Sequence, residues 1–207
     1  MAAEIGEPPD DPGNPTVNFR GQKRSNATHA STTDPEARLA RKGRGREARL
    51  SFMAHALMEN HHGLLVDFVV TAATGTAERD AVPVLLDGAR ERGFRPKTLG
   101  ADKSYDTVDC VVAIRARGVT PHVAQHTTRR RSAIDGRTTS WPGYALSQRA
   151  RKRIKESFGW AKTVGGFRRT RYRGVKRTGF AGYLVAASYN LVHLANLLIR
   201  PALPAAT

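Results

Sequence analysis

Between residues 50 and 124, short apolar runs alternate with amphipathic ones, and glycines stand at the joints. Residues 50–58 (LSFMAHALM) end at Glu59-Asn60-His61-His62-Gly63, a hairpin signal, and residues 64–70 (LLVDFVV) read as the partner strand. A helix is predicted over residues 77–92, where Ala81, Val84, Leu85 and Ala89 recur at helical spacing and Gly93 follows as a stop. Residues 97–101 then read as a strand, 108–117 as a helix stopped by Gly118, and 120–124 as a further strand. A polar loop over 129–143 leads to a helix from about 147 to 164, and an apolar helix closes the chain after a basic loop. The order β-β-α-β-α-β-α-α argues for an α/β domain with a partly parallel sheet.

The remaining segments divide by composition. Residues 1–18, rich in Pro, Gly and Asp, have almost nothing to bury and read as a disordered lead-in. Residues 19–49 form a polar, basic loop region, residues 50–200 hold the globular domain, and 201–207 are a tail. The single cysteine, Cys110, excludes a disulfide framework and any multi-cysteine zinc site, and suits a reducing cytoplasm. No signal peptide is visible in the acidic opening residues. Residues 180–199 are long enough to span a bilayer, but Ser188, Asn190, His193 and Asn196 would each need a partner in lipid, so the reading is a helix of a soluble core and no membrane partner.

Charge points to the partner. The formal net charge is +16, and residues 149–177 alone hold twelve Lys and Arg against one acid, Glu156. Such a field attracts a polyanion and releases its counterions, so a phosphate-bearing polyanion is the expected partner. On a helical wheel Ile154, Phe158 and Ala161 share the face that docks on the sheet, and Glu156 lies opposite, with Lys152 and Arg153 at i−4 and i−3. Spacing leaves two readings of Glu156: a solvated residue in intrahelical ion pairs, or a metal ligand beside a phosphate backbone.

Asp102 is the second carboxylate of interest. It directly follows an apolar strand in TLGADKSYD, and ligands of open α/β sheets bind at the carboxyl ends of strands. An ordinary turn or capping role is the alternative, and Asp106 and Asp109 read as turn and cap residues of the next helix. A strand-end Asp, a helical Glu and a dense basic tract are the residue types that two-metal phosphodiester cleavage uses. Lys103, Lys152, Arg153, Lys162, Arg168, Arg169 and Arg171 are the candidate phosphate contacts. His122 and His126 are four apart, but Pro121 breaks helical geometry and no third ligand is evident, so they carry no metal reading. Cys110 reads as core, and Trp160 and Phe167 as packing residues.

Three stretches carry a family resemblance: TLGADKSYDT, TPHVAQ, and SAIDGRTTSWPGYALSQRARKRIKESFGWAKTVGGFRRTRYRG. They resemble the catalytic domain of DDE transposases of bacterial insertion sequences, in the branch named for insertion sequence five. THASTTDPEARLARKG, HALMENHHGLLVDFVVT and SYNLVHLANLL are similar to that branch as well. The resemblance implies a ribonuclease H-like mixed sheet flanked by helices, two Mg²⁺ or Mn²⁺ ions, and DNA strand cleavage and transfer at insertion-sequence ends. It also implies a bacterial, cytoplasmic, nucleoid-associated protein, with further copies or an intact transposase as partners. Asp102 matches the second acid of the family triad and Glu156 the third. Tyr144 or the Lys152/Arg153 pair, with Lys162, stand loosely for the family's tyrosine–arginine–glutamate–lysine signature.

The first acid has no counterpart. Asp10 and Asp11 lie in a Pro-rich stretch, which a central strand excludes, and Asp34 belongs to the basic loop. The sequence thus predicts an incomplete catalytic domain lacking its first central strand, either a truncated transposase or a catalytically inactive DNA-binding fragment.

Overall fold

The computed structural model describes residues 18–19, 22–23, 25–41, 43, 47–128 and 130–199. The predicted lead-in and tail, with Asp10 and Asp11, lie outside the described residues apart from Asn18. A two-residue hairpin, β1 (Asn18–Phe19) with β2 (Gln22–Lys23), precedes three antiparallel strands in the order β3-β4-β5. These are β3 (Arg38–Arg41), β4 (Ala48–Met58) and β5 (Leu65–Ala72). Two parallel strands, β6 (Thr98–Ala101) and β7 (Thr120–Val123), form a separate sheet. The helices are α1 (Ala77–Glu91), α2 (Val108–Ala116), α3 (Gly136–Thr139), α4 (Pro142–Ala150), α5 (Ile154–Thr163) and α6 (Val175–Ile199).

The elements from β4 to β7 follow the sequence expectation. Glu59 makes the β4–β5 turn: its carboxylate accepts from the backbone N–H groups of His61, His62 and Leu64, and Gly63 supplies a positive φ of 78°. Gly93 and Gly118, at φ 86° and 63°, end α1 and α2 in the left-handed conformation.

Besides the separation into small sheets and the β1–β2 hairpin in the segment read as lead-in and loop, three details differ from the sequence reading. Residues 38–41, read as loop, form an edge strand on the first four residues of β4, a pairing too short and too charged to show as an apolar alternation. The single helix expected over 147–164 is two helices joined by a 3₁₀ turn at Arg151–Arg153, and Pro142 starts the first of them earlier than expected. The polar loop also holds the one-turn helix α3.

Two cores result. Leu86 of α1, Ile114 of α2 and Val123 of β7, all fully buried, centre the first, and Cys110 is buried beside them as expected. The second lies between β5 and α6 around Phe68, Val70 and Ala186. The predicted packing roles hold there: Phe167 meets Phe68 edge-on at 6.1 Å, and Trp160 meets Tyr189 edge-on at 5.7 Å. By length and composition α6 is apolar enough to cross a membrane. It nonetheless docks one stripe, Thr178, Gly182, Ala186 and Tyr189, at helical spacing onto the protein. A Cβ on Gly182 would stand 2.6 Å from the Phe68 ring, so glycine permits this close approach. Asn190 secures the helix by exchanging two hydrogen bonds of 2.8 Å with the backbone of Leu65, as a paired residue of a strand would.

Candidate active site and basic surface

Asp102 lies at the carboxyl end of β6, as predicted, with its side chain 59% exposed. Its carboxylate accepts from the backbone N–H of Lys103 and so caps the 3₁₀ turn Lys103–Tyr105, the role that the sequence reading left open beside the chemical one. The Arg151 guanidinium stands 3.9 Å away. Burial, reinforced by the carboxylates of Glu78 and Asp102, pushes the Tyr105 phenol up to about 12.

Arg151 reaches Asp102 because α4 is held tightly on the parallel strands. Gln148 donates to the carbonyl of His122 and accepts from Arg151 Nε at 2.8 Å, and His122 Nδ1 lies 2.7 Å from Ser147 Oγ. A Cβ on Gly100 would come within 3.2 Å of the Ser147 carbonyl, so that glycine lets α4 lie against β6. His122 is thus a buried structural residue, edge-on to Tyr144 at 5.7 Å, and burial lowers its pKa. Tyr144 donates to the carbonyl of Val123, a bond that fixes α4 on β7.

Glu156 is exposed on α5. No ion pair involving it occurs among the described residues; Arg153, placed at i−3 to pair with it, instead donates to the carbonyls of Asn60 and His61 at 3.0 and 3.2 Å. Ile154 and Phe158 face inward and Ala161 is buried, as the wheel predicts. Glu156 faces the Tyr189 side of the helix, where burial and its negative charge raise the Tyr189 phenol. The cavity of about 370 Å³ beside Asp102 is lined by Lys155 and Lys152 but not by Glu156. The structure therefore does not bring the two predicted acids into one cavity. Glu78 of α1 is the carboxylate that shares this cavity with Asp102, a pairing invisible to sequence reasoning because 24 residues separate the two.

Asp34 has a different task. Its carboxylate accepts from the N–H of Gly174 at 2.9 Å, and Glu36 accepts from that of Val175, so both acids satisfy the N-terminus of α6. Among the described residues no group of three or more His, Cys, Asp or Glu side chains is gathered for a metal ion. With only Glu78 joining Asp102 in the cavity, against Arg151, Lys152 and Lys155, the described residues do not fit a pair of divalent cations.

The basic tract is accessible. Lys103, Lys152, Lys162, Arg168, Arg169 and Arg171 are exposed, and among the described residues none of them joins an ion pair. Arg168, Arg169 and Arg171 cluster on the loop between α5 and α6. Arg153 alone of the predicted phosphate contacts is committed to a structural role, in the β4–β5 turn.

A family model described as the transposase DDE domain matches residues 25–191, most of the chain. The chain belongs to the DDE transposase family. That membership implies a ribonuclease H-like fold, DNA as partner, and the divalent metal ions that DDE transposases generally use. The α/β structure with its small sheets accords with it. No curated protein and no solved structure matches the chain.

Proposed function

We propose that this DDE transposase is an incomplete form of the insertion-sequence-five branch. It binds DNA through the exposed tract from Lys152 to Arg177 and does not by itself cut it. The observation that carries this reading is the setting of Asp102, whose cavity holds one other carboxylate, Glu78, against Arg151, Lys152 and Lys155, where two divalent cations would need further acids. Asp34, the one aspartate described ahead of β4, is occupied at the N-terminus of α6. By the family resemblance, Asp102 and Glu156 would hold Mg²⁺ or Mn²⁺ in the intact enzyme, which requires both further acids and Glu156 brought to the cavity of Asp102, and strand cleavage and transfer at insertion-sequence ends would follow. A bacterial cytoplasmic location at the nucleoid, with further copies or an intact transposase as partners, accords with the polyanion-binding surface.

The test is a nicking assay on supercoiled DNA with Mg²⁺ or Mn²⁺. The chain is expected to show no cleavage above background. Lys155→Glu, which adds a carboxylate to the cavity of Asp102 and Glu78, is expected to tighten Mn²⁺ binding at least about tenfold by calorimetry, since cation affinity rises with ligand charge. Cleavage by the unmodified chain that disappears in Asp102→Ala and in Glu156→Ala would overturn the incomplete-site reading and assign those residues as required for it.

A further inference from the structure

α6 docks on the protein through Thr178, Gly182, Ala186 and Tyr189, and its opposite side is apolar as well. There Phe180, Leu184, Ala187, Leu191, Leu194 and Leu198 follow one another at alternating steps of four and three residues. That alternation is the heptad spacing of an a/d seam, which a helix buries against a second helix. At about 100° per residue the six form a stripe diametrically opposite the docked one. All six are exposed, Leu191 at 69% and Leu198 at 78%. No Asp, Glu, Lys or Arg stands anywhere from Thr178 to Ile199. Charged and polar residues ordinarily fill the outer face of a docked helix, so an uncharged apolar strip there marks a contact surface.

We infer that this seam pairs with the same seam of a second copy of the chain, the two α6 helices running antiparallel about a twofold axis beside Tyr189. The pairing specifies the second-copy partner named in the proposed function and rests on that reading only for the identity of the partner. Read backwards, the seam keeps its alternation of spacings, as a self-complementary contact requires. Phe180 then meets Leu198 of the partner subunit, Leu184 meets Leu194 of the partner subunit, and Ala187 meets Leu191 of the partner subunit. The small alanine at the centre lets the helices approach closely. Charge decides the direction. Six cations from Arg168 to Arg177 crowd the N-terminal end of α6, against the two acids bound there, Asp34 and Glu36. A parallel pair would bring two such ends together. The antiparallel pair sets them about 37 Å apart, several Debye lengths at ~0.15 M salt, and opposes the two helix dipoles. A lipid bilayer is the poorer occupant, because Asn190 and His193 fasten α6 to Leu65 and to the carbonyl of His62, which leaves one face free and not a whole helix.

The measurements use the full chain without DNA or metal, so failure of the pairing leaves the DNA-binding reading untouched. Sedimentation equilibrium over roughly 1–100 μM protein is expected to pass from one chain mass to two. Leu184→Glu and Leu191→Glu are each expected to weaken dimerisation at least about tenfold, because the twofold axis buries every added charge twice. Val112→Glu, at an exposed apolar position of α2, is expected to leave it unchanged, and circular dichroism checks that each variant is folded. For the direction, Phe180→Cys and Leu198→Cys are mixed and oxidised; Cys110 is buried and does not compete. A disulfide between the two variants is expected, and none within either variant alone, since like positions lie about 27 Å apart in the antiparallel pair. One chain mass throughout, a dimer indifferent to both glutamates, no cross-link between the two variants, or Phe180→Cys cross-linked to itself would each overturn the pairing. A monomer that binds phosphatidylcholine vesicles, and loses them on Leu191→Glu, would assign the face to a lipid surface and overturn the proposed occupant.

Discussion

Changing Arg168, Arg169 and Arg171 together to Glu is expected to weaken DNA binding by at least about a hundredfold at ~0.15 M salt, whatever the DNA sequence. The three guanidinium groups are exposed on one loop, and none is held in an ion pair among the described residues, so each is available to a phosphate. Each neutralised phosphate contributes about −0.9 to the slope of log K against log salt. With on the order of 6 contacts the unmodified chain has a slope of about −5, and loss of three lowers it to about −3. Replacement of the same residues by Lys keeps the charge and is expected to keep most of the slope. Fluorescence anisotropy over a salt series reads both quantities, and circular dichroism checks that the fold persists. Salt-independent binding, or an unchanged slope after reversal, would refute the assignment of the basic tract as the DNA surface.

The largest expected effect on stability comes from Asp106, which is 1% exposed. One carboxylate oxygen accepts from the N–H of His126 at 2.6 Å and the other from that of Ala133 at 2.8 Å, tying the segment after β7 back to the residue ahead of α2. Asp106→Ala leaves two half-buried donors without this acceptor, at about 1–3 kcal/mol each where water does not replace it, so a loss of up to about 2–6 kcal/mol is expected from urea denaturation at pH 7. Burial pushes the Asp106 carboxyl upward, but bonds from His126, Ser132 and Ala133 outweigh it and hold the group below its ordinary value. A carboxyl with a depressed folded-state pKa stabilises the protein above its unfolded value, near 3.9. That contribution is lost as pH falls through the lower folded value. Below about pH 4 the stability gap between the unmodified chain and Asp106→Ala is therefore expected to narrow. A gap that stays constant from pH 7 to pH 3 would show that the ionised form carries no stabilisation.

Local chemistry made much of this chain legible. Gly93 and Gly118 mark the ends of α1 and α2 in sequence because only glycine takes positive φ without strain. The apolar runs of β4 and β5 and the turn between them follow from composition and from Glu59. The face of α5 that carries Ile154, Phe158 and Ala161 follows from the 3.6-residue period, and the same period sends Glu156 to the other side. The exposure of the basic tract follows from the desolvation that buried charges would suffer.

Tertiary structure alone decided the rest, because those features depend on pairs distant in the chain. Asp34 and Asp106 look like ordinary turn aspartates. Their roles appear only where Gly174 is placed 140 residues away from the first, and His126 and Ala133 are brought to the second. No local pattern shows that Lys155 and Glu78, not Glu156, share the cavity with Asp102, since that is set by how α1 and α5 lie on the sheet edges. Alternating strands and helices predict an α/β sheet, yet hydrogen-bonded pairing is a relation between strands. β4 and β6 end as two open edges because, among the described residues, no third strand lies between them.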